Sequence, residues 1–231
     1  MLRKWDEMPM VMKTEAVRPY YEALVRRQNA LKRKRILDIC GASILTIVLS
    51  PIMLGIAIAI KTEDGGPVFY RQERVTTYGK TFRIFKFRTM IVDADKKGPL
   101  VTESRDGRIT KTGAKLRHLR LDELPQVFNV LAGDMSFVGT RPEVKKYVDQ
   151  YTDEMQATLL LPAGVTSPAS IAFKEEDKMI ERYTSRGESA DEAYVKYILP
   201  EKMKYNLKYL REAGVAGDMK VMVKTVLEVI K

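Results

Sequence analysis

The sequence predicts a mixed α/β fold that is mainly helical, with one membrane-inserted helix and a small β-hairpin or sheet. Residues 39–60 form an apolar run of 22 residues without a charged side chain. Residues 68–74 and 81–90 have the pattern of two strands separated by a turn around Gly79. Apolar residues recur at helical spacing after residue 120 and again after residue 218. The amphipathic helices are expected to pack on the domain or lie at a membrane interface.

We divide the chain into a basic N-terminal lead-in (residues 1–35), a membrane element (36–61) and a domain that ends in an amphipathic helix (62–231). The lead-in holds ten Lys or Arg and four Asp or Glu, so it carries more than half of the net charge of +10. Pro19 predicts a helix start within it, and the alternative is a partly ordered tail. A nucleic-acid-binding protein would carry a recognisable motif, and the sequence has none.

Basic residues beside a membrane segment attract anionic lipid headgroups and mark the cytosolic side. We assign these headgroup contacts to the cluster that directly precedes the apolar run, Lys32, Arg33, Lys34 and Arg35. The single cysteine, Cys40, excludes an intrachain disulfide and fits a reducing compartment.

The apolar run is long enough to span a bilayer, because a span needs about 20 apolar residues. Ser50 and Pro51 lie near its middle, and a proline removes a backbone donor and bends a helix. Two interpretations follow: a kinked span, or a re-entrant helix–break–helix that enters and leaves by one face. The Ser50 hydroxyl is a candidate partner for a backbone group freed at the break. A buried helix of a soluble protein is disfavoured by the length of the run.

The second predicted strand places Lys86 and Arg88 on one face, because side chains two residues apart point the same way. Phe85 and Phe87 then face the opposite side and can pack. Two adjacent cations suit a polyphosphate, although a solvated strand face would have the same spacing. The polar stretch 91–113 that follows is predicted to be a long loop or short helices.

Residues 116–143 contain the next helix, with Asp122 and Glu123 near its start and Pro125 in its first turn. The positive end of a helix favours negative charge, so an Asp there is expected to stay ionised. Such an Asp can attack phosphorus or bind Mg²⁺, or it can simply cap the helix. Arg141 follows a Gly-containing turn and can hold phosphate oxygens in a bidentate contact.

The last element carries an apolar stripe at helical spacing: Met219, Met222, Val223, Val226, Leu227 and Ile230. The stripe predicts a helix that packs on the domain or lies in a membrane interface.

From about residue 34 onward the sequence resembles the monotopic phosphoglycosyl transferases, also called bacterial sugar transferases or polyprenyl-phosphate sugar-1-phosphate transferases. It looks like their small, single-domain members. The motifs that carry the resemblance are Lys34-Arg35 and Asp38, Ser50-Pro51, GPVFYRQERV, KTFRIFKFRTM and LDELPQVFNVLAGDMSFVGTRPE.

The resemblance implies transfer of a sugar-1-phosphate from a nucleotide diphosphate sugar, by family habit a UDP-sugar, to polyprenyl (undecaprenyl) phosphate, with release of UMP. Asp122 matches the nucleophile that forms a covalent phosphosugar intermediate, and Glu123 matches its dyad partner. Mg²⁺ would bridge Asp122 and the diphosphate. The matches to phosphate-binding positions are Lys86, Arg88, Arg141 and Pro142.

The implied location is the bacterial inner membrane, with a re-entrant helix and a cytosolic catalytic domain that begins an exopolysaccharide or other glycoconjugate. Thr140 stands where the family commonly has Pro, and the loop 161–170 lacks the family's Arg and Trp, with Leu161 before Pro162. This altered loop favours a second hypothesis, a catalytically silent membrane scaffold for polysaccharide assembly. The sequence leaves open which sugar is used, what the loop contacts, and whether the protein forms a homodimer.

Overall fold

The computed structural model describes residues 2–94 and 106–230, and helices predominate in these ranges, as predicted. Part of the predicted polar loop 91–113 lies outside the described residues. Several short 3₁₀ turns and one π-helical segment (Tyr194–Ile198) connect the helices. The α-helices are α1 (Arg18–Arg26), α2 (Gln28–Asp64), α3 (Lys111–His118), α4 (Gln126–Ala132), α5 (Lys145–Val148), α6 (Pro168–Ala172), α7 (Glu176–Thr184), α8 (Ala190–Ala193), α9 (Leu199–Glu212) and α10 (Val215–Ile230).

The membrane element is part of one helix of 37 residues, α2, which continues through Ser50 and Pro51. The predicted break is therefore a proline inside a helix rather than an interruption of it. Pro51 has no N–H to donate to the carbonyl of Ile47, four residues earlier. The Ser50 hydroxyl donates to that carbonyl at 2.8 Å, so the predicted rescue of a freed backbone group is confirmed.

One face of α2 packs along the rest of the protein, and the opposite face is exposed and apolar. The buried positions recur mostly every three or four residues or at multiples of that spacing: Lys34, Asp38, Ala42, Met53 and Ile60. In the most apolar window, with a mean hydropathy of 2.4, only 11% of the residues are buried. Among the described residues, α2 alone is long and apolar enough to cross a membrane. The low burial distinguishes it from the core helix of a soluble protein.

The predicted hairpin is present but is divided into two short antiparallel pairs. These are β1 (Phe69–Tyr70) with β4 (Lys86–Phe87), and β2 (Glu73–Val75) with β3 (Thr81–Arg83). Phe85 and Phe87 both pack against Phe69, in agreement with the prediction that these two rings can pack.

A parallel pair that the sequence did not reveal is formed by β5 (Met135–Val138) and β6 (Ala163–Thr166). Gly139 and Gly164 allow the chain to approach closely at the end of this pair. A Cβ atom added at Gly164 would lie 2.2 Å from the Gly139 nitrogen, which no side chain could tolerate.

The N-terminal lead-in is folded and packs into the main core. Met12, Val17 and Leu24 are fully buried in a cluster that also contains Val138 and Leu210. The residues on both sides of α2 therefore belong to the same packed body.

The C-terminal stripe forms α10, as its spacing predicted. Met222 packs against the main core, whereas Met219, Val223, Val226 and Leu227 are each more than half exposed. Packing on the core thus buries only a small part of the apolar stripe, and most of the stripe stays exposed.

Candidate active site

Asp122 and Glu123 lie in a 3₁₀ turn, Leu121–Glu123, and α4 begins after Pro125. The helix therefore starts several residues later than predicted, and the first-turn tolerance of proline explains the position of Pro125. Leu121 and Leu124 flank the two carboxylates and pack against a cluster made of Met53 and Ile60 of α2 together with Phe87 and Leu116. The turn that carries the acidic pair therefore shares a hydrophobic cluster with α2.

Four of the predicted site residues converge at this turn. The Lys86 ammonium donates to Glu123 Oε1 at 3.0 Å and lies 3.9 Å from Asp122 Oδ2. Arg141 Nη1 donates to Glu123 Oε2 at 3.1 Å, and its Nη2 donates to Glu123 Oε1. Glu123 thus has two cationic partners, while Asp122 has one distant cation.

The pKa values of the two carboxyl groups shift in opposite directions as a result. Burial raises the pKa of Asp122 above its ordinary value, and the positive charge of Lys86 opposes this rise. Burial also acts to raise the pKa of Glu123, but Arg141 and Lys86 outweigh it and hold that pKa well below the ordinary value. Burial thus opposes the helix-terminus effect on Asp122, since the turn precedes α4 by several residues, and an ionised Asp122 at neutral pH stays a prediction.

The pKa values of Arg141 and Lys86 are shifted by the same buried, charged surroundings. Glu123 raises the pKa of Arg141, so this guanidinium stays charged. Burial lowers the pKa of Lys86, and the carboxylate of Glu123 opposes the decrease.

Arg88 lies in a different set of contacts. Its guanidinium pairs with both oxygens of Asp64, each at 2.5 Å, and its Nε donates to the Pro67 carbonyl at 2.6 Å. The strand β4 ends at Phe87, so the alternation that would align Arg88 with Lys86 does not continue. Arg88 thus links the end of α2 to the hairpin through its ion pair with Asp64. Contact between Arg88 and a phosphate stays a prediction.

The segment that carries Arg141 is fixed by residues that sequence reasoning did not single out. Arg74 Nη1 donates to the Pro142 carbonyl at 3.2 Å. The buried Glu143 carboxylate accepts hydrogen bonds from the Tyr194 hydroxyl at 2.5 Å and from the Lys202 ammonium at 3.5 Å. These partners lie 50 or more residues away in the chain, so no local pattern could have indicated them.

Two further arginines contribute positive charge near the acidic pair. After the larger effects of burial and of Lys86 and Arg141, Arg117 acts to lower the pKa of Asp122, and Arg120 acts to lower that of Glu123. Arg120 has a φ of +54°, a left-handed conformation that costs energy in a residue with a Cβ, and it begins the turn that carries the acidic pair. The surroundings therefore suit an anionic ligand.

Asp122 Oδ1 is buried and has no hydrogen-bond partner. An oxygen of this kind can serve as a single protein ligand for Mg²⁺, which commonly takes its other ligands from substrate phosphates and water. Among the described residues no group of three acidic, His or Cys side chains could hold a metal without such help. The residues present therefore fit a cation that is shared with a phosphorylated ligand.

In the basic cluster before the apolar run, two residues are exposed and two contact other parts of the protein. Lys32 and Arg33 are exposed, whereas Lys34 is buried in ion pairs, with Asp218 at 2.5 Å the closer. Arg35 donates to the carbonyls of Val130 (2.7 Å) and Leu131 (3.2 Å) at the end of α4. The headgroup prediction is therefore too broad: Lys34 and Arg35 are used inside the protein, and headgroup contact stays a prediction for Lys32 and Arg33 alone.

Leu161, the residue where the family commonly has Arg, lines a small cavity beside Arg141, Pro142 and Thr140. The Thr140 hydroxyl is buried there without a hydrogen-bond partner. The altered loop is thus adjacent to the Arg141 segment.

Proteins similar to this chain include an Aeromonas hydrophila UDP-N-acetylgalactosamine-undecaprenyl-phosphate N-acetylgalactosaminephosphotransferase, which is 46% identical over 53% of the chain and 29% of its own length. An Escherichia coli UDP-glucose:undecaprenyl-phosphate glucose-1-phosphate transferase is 34% identical over 91% of the chain and 42% of its own length. A Bacillus subtilis putative undecaprenyl-phosphate N-acetylgalactosaminyl 1-phosphate transferase is 43% identical over 53% of the chain and 68% of its own length.

The chain thus spans less than half the length of the first two of these relatives. The sequence profile of the family described as "Bacterial sugar transferase" matches residues 28–231, a range that contains α2, the acidic pair and Arg141. Because the match covers most of the chain, the protein belongs to the bacterial sugar transferase family, as its motifs predicted.

Proposed function

We propose that this protein transfers a sugar-1-phosphate from a UDP-sugar to undecaprenyl phosphate through a covalent intermediate on Asp122. The observation that carries the proposal is a buried carboxylate with an unpartnered oxygen beside a cationic cluster. Glu123 holds Lys86 and Arg141 in that cluster. The names of the similar proteins supply the substrate classes.

In the first step a carboxylate oxygen of Asp122 attacks the β-phosphorus of the donor. A bond forms between that oxygen and the phosphorus, the bond from the phosphorus to the bridging oxygen breaks, and UMP leaves with the bonding electron pair. Lys86 and Arg141 lie where they can stabilise the negative charge that builds up on the phosphate oxygens. Glu123 stays ionised because of its low pKa, so its role is to orient these cations rather than to supply a proton.

In the second step a phosphate oxygen of undecaprenyl phosphate attacks the same phosphorus and releases the Asp122 carboxylate. The products are undecaprenyl-diphosphate-sugar and free enzyme. The cluster that Leu121 and Leu124 share with Met53 and Ile60 of α2 supports this step, because it places the acidic pair near the helix proposed to contact lipid.

The unpartnered Oδ1 of Asp122 is the residue atom that would hold Mg²⁺. When bound, the cation would neutralise charge on the donor diphosphate.

The proposal is tested with protein in nanodiscs that contain undecaprenyl phosphate, by assaying UMP release from a panel of UDP-sugars with Mg²⁺. We expect release with one donor or a few related donors, which would also identify the sugar. If no donor in a broad panel of nucleotide sugars reacts, the silent-scaffold hypothesis is favoured, and the loop at Leu161 is the feature that would explain it.

We also propose that α2 is re-entrant in the bacterial inner membrane and that the active site faces the cytosol. The support is that both flanks of α2 are tied to one body. Met12 and Leu24, before the helix, share a core with Val138, and Asp64, at its end, pairs with Arg88. A helix that crossed the bilayer would have to separate its two flanks.

Cysteine labelling tests this topology in a Cys40→Ser background. Met10→Cys lies before α2 and Lys204→Cys lies on α9, and both positions are exposed. We expect a membrane-impermeant maleimide to label neither cysteine in intact spheroplasts and both after permeabilisation. Labelling of Met10→Cys alone from outside would mean that α2 crosses the membrane.

A further inference from the structure

The helix α10 exposes most of its apolar stripe and turns a mixed face inward, on which Val221 and Met222 pack against the main core beside polar residues. Asp218 is buried and Thr225 is partly buried, whereas Met219, Val223 and Leu227 are 52–55% exposed. An amphipathic helix on a soluble domain would instead bury its apolar stripe.

Polar contacts hold α10 in this orientation. Asp218 pairs with Lys34 of α2 at 2.5 Å and accepts a hydrogen bond from the Tyr209 hydroxyl at 2.7 Å. One helical turn beyond Met222, the Thr225 hydroxyl is 2.8 Å from that of Thr166. The exposed apolar face is therefore not a consequence of loose packing.

A lipid bilayer is the occupant that best fits this face. The helix α10 contacts α2, whose own exposed face is apolar enough for a membrane, so neighbouring helices carry the two exposed apolar faces. Lys220 and Lys224 are exposed on the outward half of α10 and can reach anionic headgroups.

The contact through Thr225 leads to the active site. The Thr225 hydroxyl donates to the Val221 carbonyl at 2.8 Å, so its proton is used and the Thr166 hydroxyl must be the donor of the pair. Thr166 is the last residue of β6. The preceding carbonyl, that of Val165, accepts a hydrogen bond from Arg141 Nη1 at 3.2 Å. A single peptide unit thus joins the α10 contact to a proposed phosphate-binding residue.

We propose that lipid contact seats α10 and, through Thr225 and Thr166, keeps the end of β6 in the position that orients Arg141. Thr225 and Thr166 are positioning residues in this scheme, because they act through the Val165 carbonyl. The inference rests on the proposed function at one point, which is the role of Arg141 in binding the donor. Under this proposal, the affinity for the donor depends on the contact between α10 and the lipid bilayer.

Two pairs of variants test the coupling in nanodiscs that contain phosphatidylglycerol, where α2 still anchors the protein. Thr225→Val removes the hydroxyl and keeps the side-chain shape, and Thr225→Ser restores the hydroxyl. Val223→Asp combined with Leu227→Asp disrupts lipid contact, and Val223→Leu is its matched control. We expect both disruptive variants to raise the KM for the UDP-sugar about fivefold with a smaller effect on kcat, since one hydrogen bond is lost. The two controls should behave like the wild type.

Hydrogen–deuterium exchange of residues 163–166 and of the Gly139 amide, which donates to the Thr166 carbonyl at 3.1 Å, gives a readout that needs no turnover. Faster exchange in both disruptive variants supports the coupling even if the wild type releases no UMP, an outcome that would count against the proposed function alone. Unchanged exchange and an unchanged KM in a wild-type-active background would overturn the coupling. An effect of Thr225→Val without an effect of the double Asp variant would overturn the role of lipid and favour a protein partner on α10.

Discussion

Replacing Asp122 by Asn is expected to reduce UMP release by at least about 10⁴-fold, the scale of loss seen when a catalytic nucleophile is removed. Asn has nearly the same shape but lacks the negative charge that attacks phosphorus. The direct measurement is the intact mass of the protein after incubation with donor and without undecaprenyl phosphate. The wild type should gain the mass of one phosphosugar, and Asp122→Asn should gain none.

The loss should not come from unfolding. Burial raises the pKa of Asp122, which means that the folded protein disfavours the charged form. A neutral Asn avoids this cost, so the melting temperature should be equal to or higher than that of the wild type. Asp153→Asn, at an exposed acidic residue, is the matched control and should retain activity. Substantial turnover by Asp122→Asn would refute the covalent route, and a marked fall in melting temperature would show that the fold had been lost instead.

The sequence motifs predicted the identity of the acidic pair and its cations better than they predicted their surroundings. Lys86 and Arg141 are 37 and 18 residues from Glu123, yet both contact it. Their assignment came from resemblance to a family, because neither strand spacing nor a lone Arg could specify a partner so distant. Strand alternation did not predict the position of Arg88, which was expected to share a face with Lys86. The strand β4 is only two residues long and ends before Arg88.

Tertiary contacts explain the other differences. Lys34 and Arg35 look like free cations in the sequence, but the fold uses one to pair with Asp218 and the other to cap α4. The strands β5 and β6 are four residues each and pair in parallel across a long crossover, which leaves little local signal. The periodicity of α10 was correct, but a period alone does not say which face meets the protein. That choice depends on Asp218 and Thr225, whose partners lie elsewhere in the chain.

Replacing Lys86 by Met should reduce turnover roughly 100-fold at neutral pH, since removing one member of a buried charge pair costs about 2–5 kcal/mol. Lys86 is the cation closest to Asp122 among the described contacts, and it also contacts Glu123. Lys86→Arg keeps the charge and should retain much more activity. Lys80→Met is the matched control on the same hairpin: Lys80 pairs with Asp134 at 3.1 Å, but its side chain is 69% exposed, so little should change.

The pH dependence identifies the reason for the loss. Attack needs the ionised form of Asp122, so activity is present above the pKa of this group and is lost as the pH falls through it. Burial already raises that pKa, and Lys86 opposes the rise. Without Lys86 the pKa must increase further, so the acid limb of the kcat/KM profile should move to higher pH, and part of the lost rate should return as the pH is raised. A Lys86→Met variant that is equally impaired at every pH would show that Lys86 acts on the substrate phosphate alone and does not control the charge of Asp122.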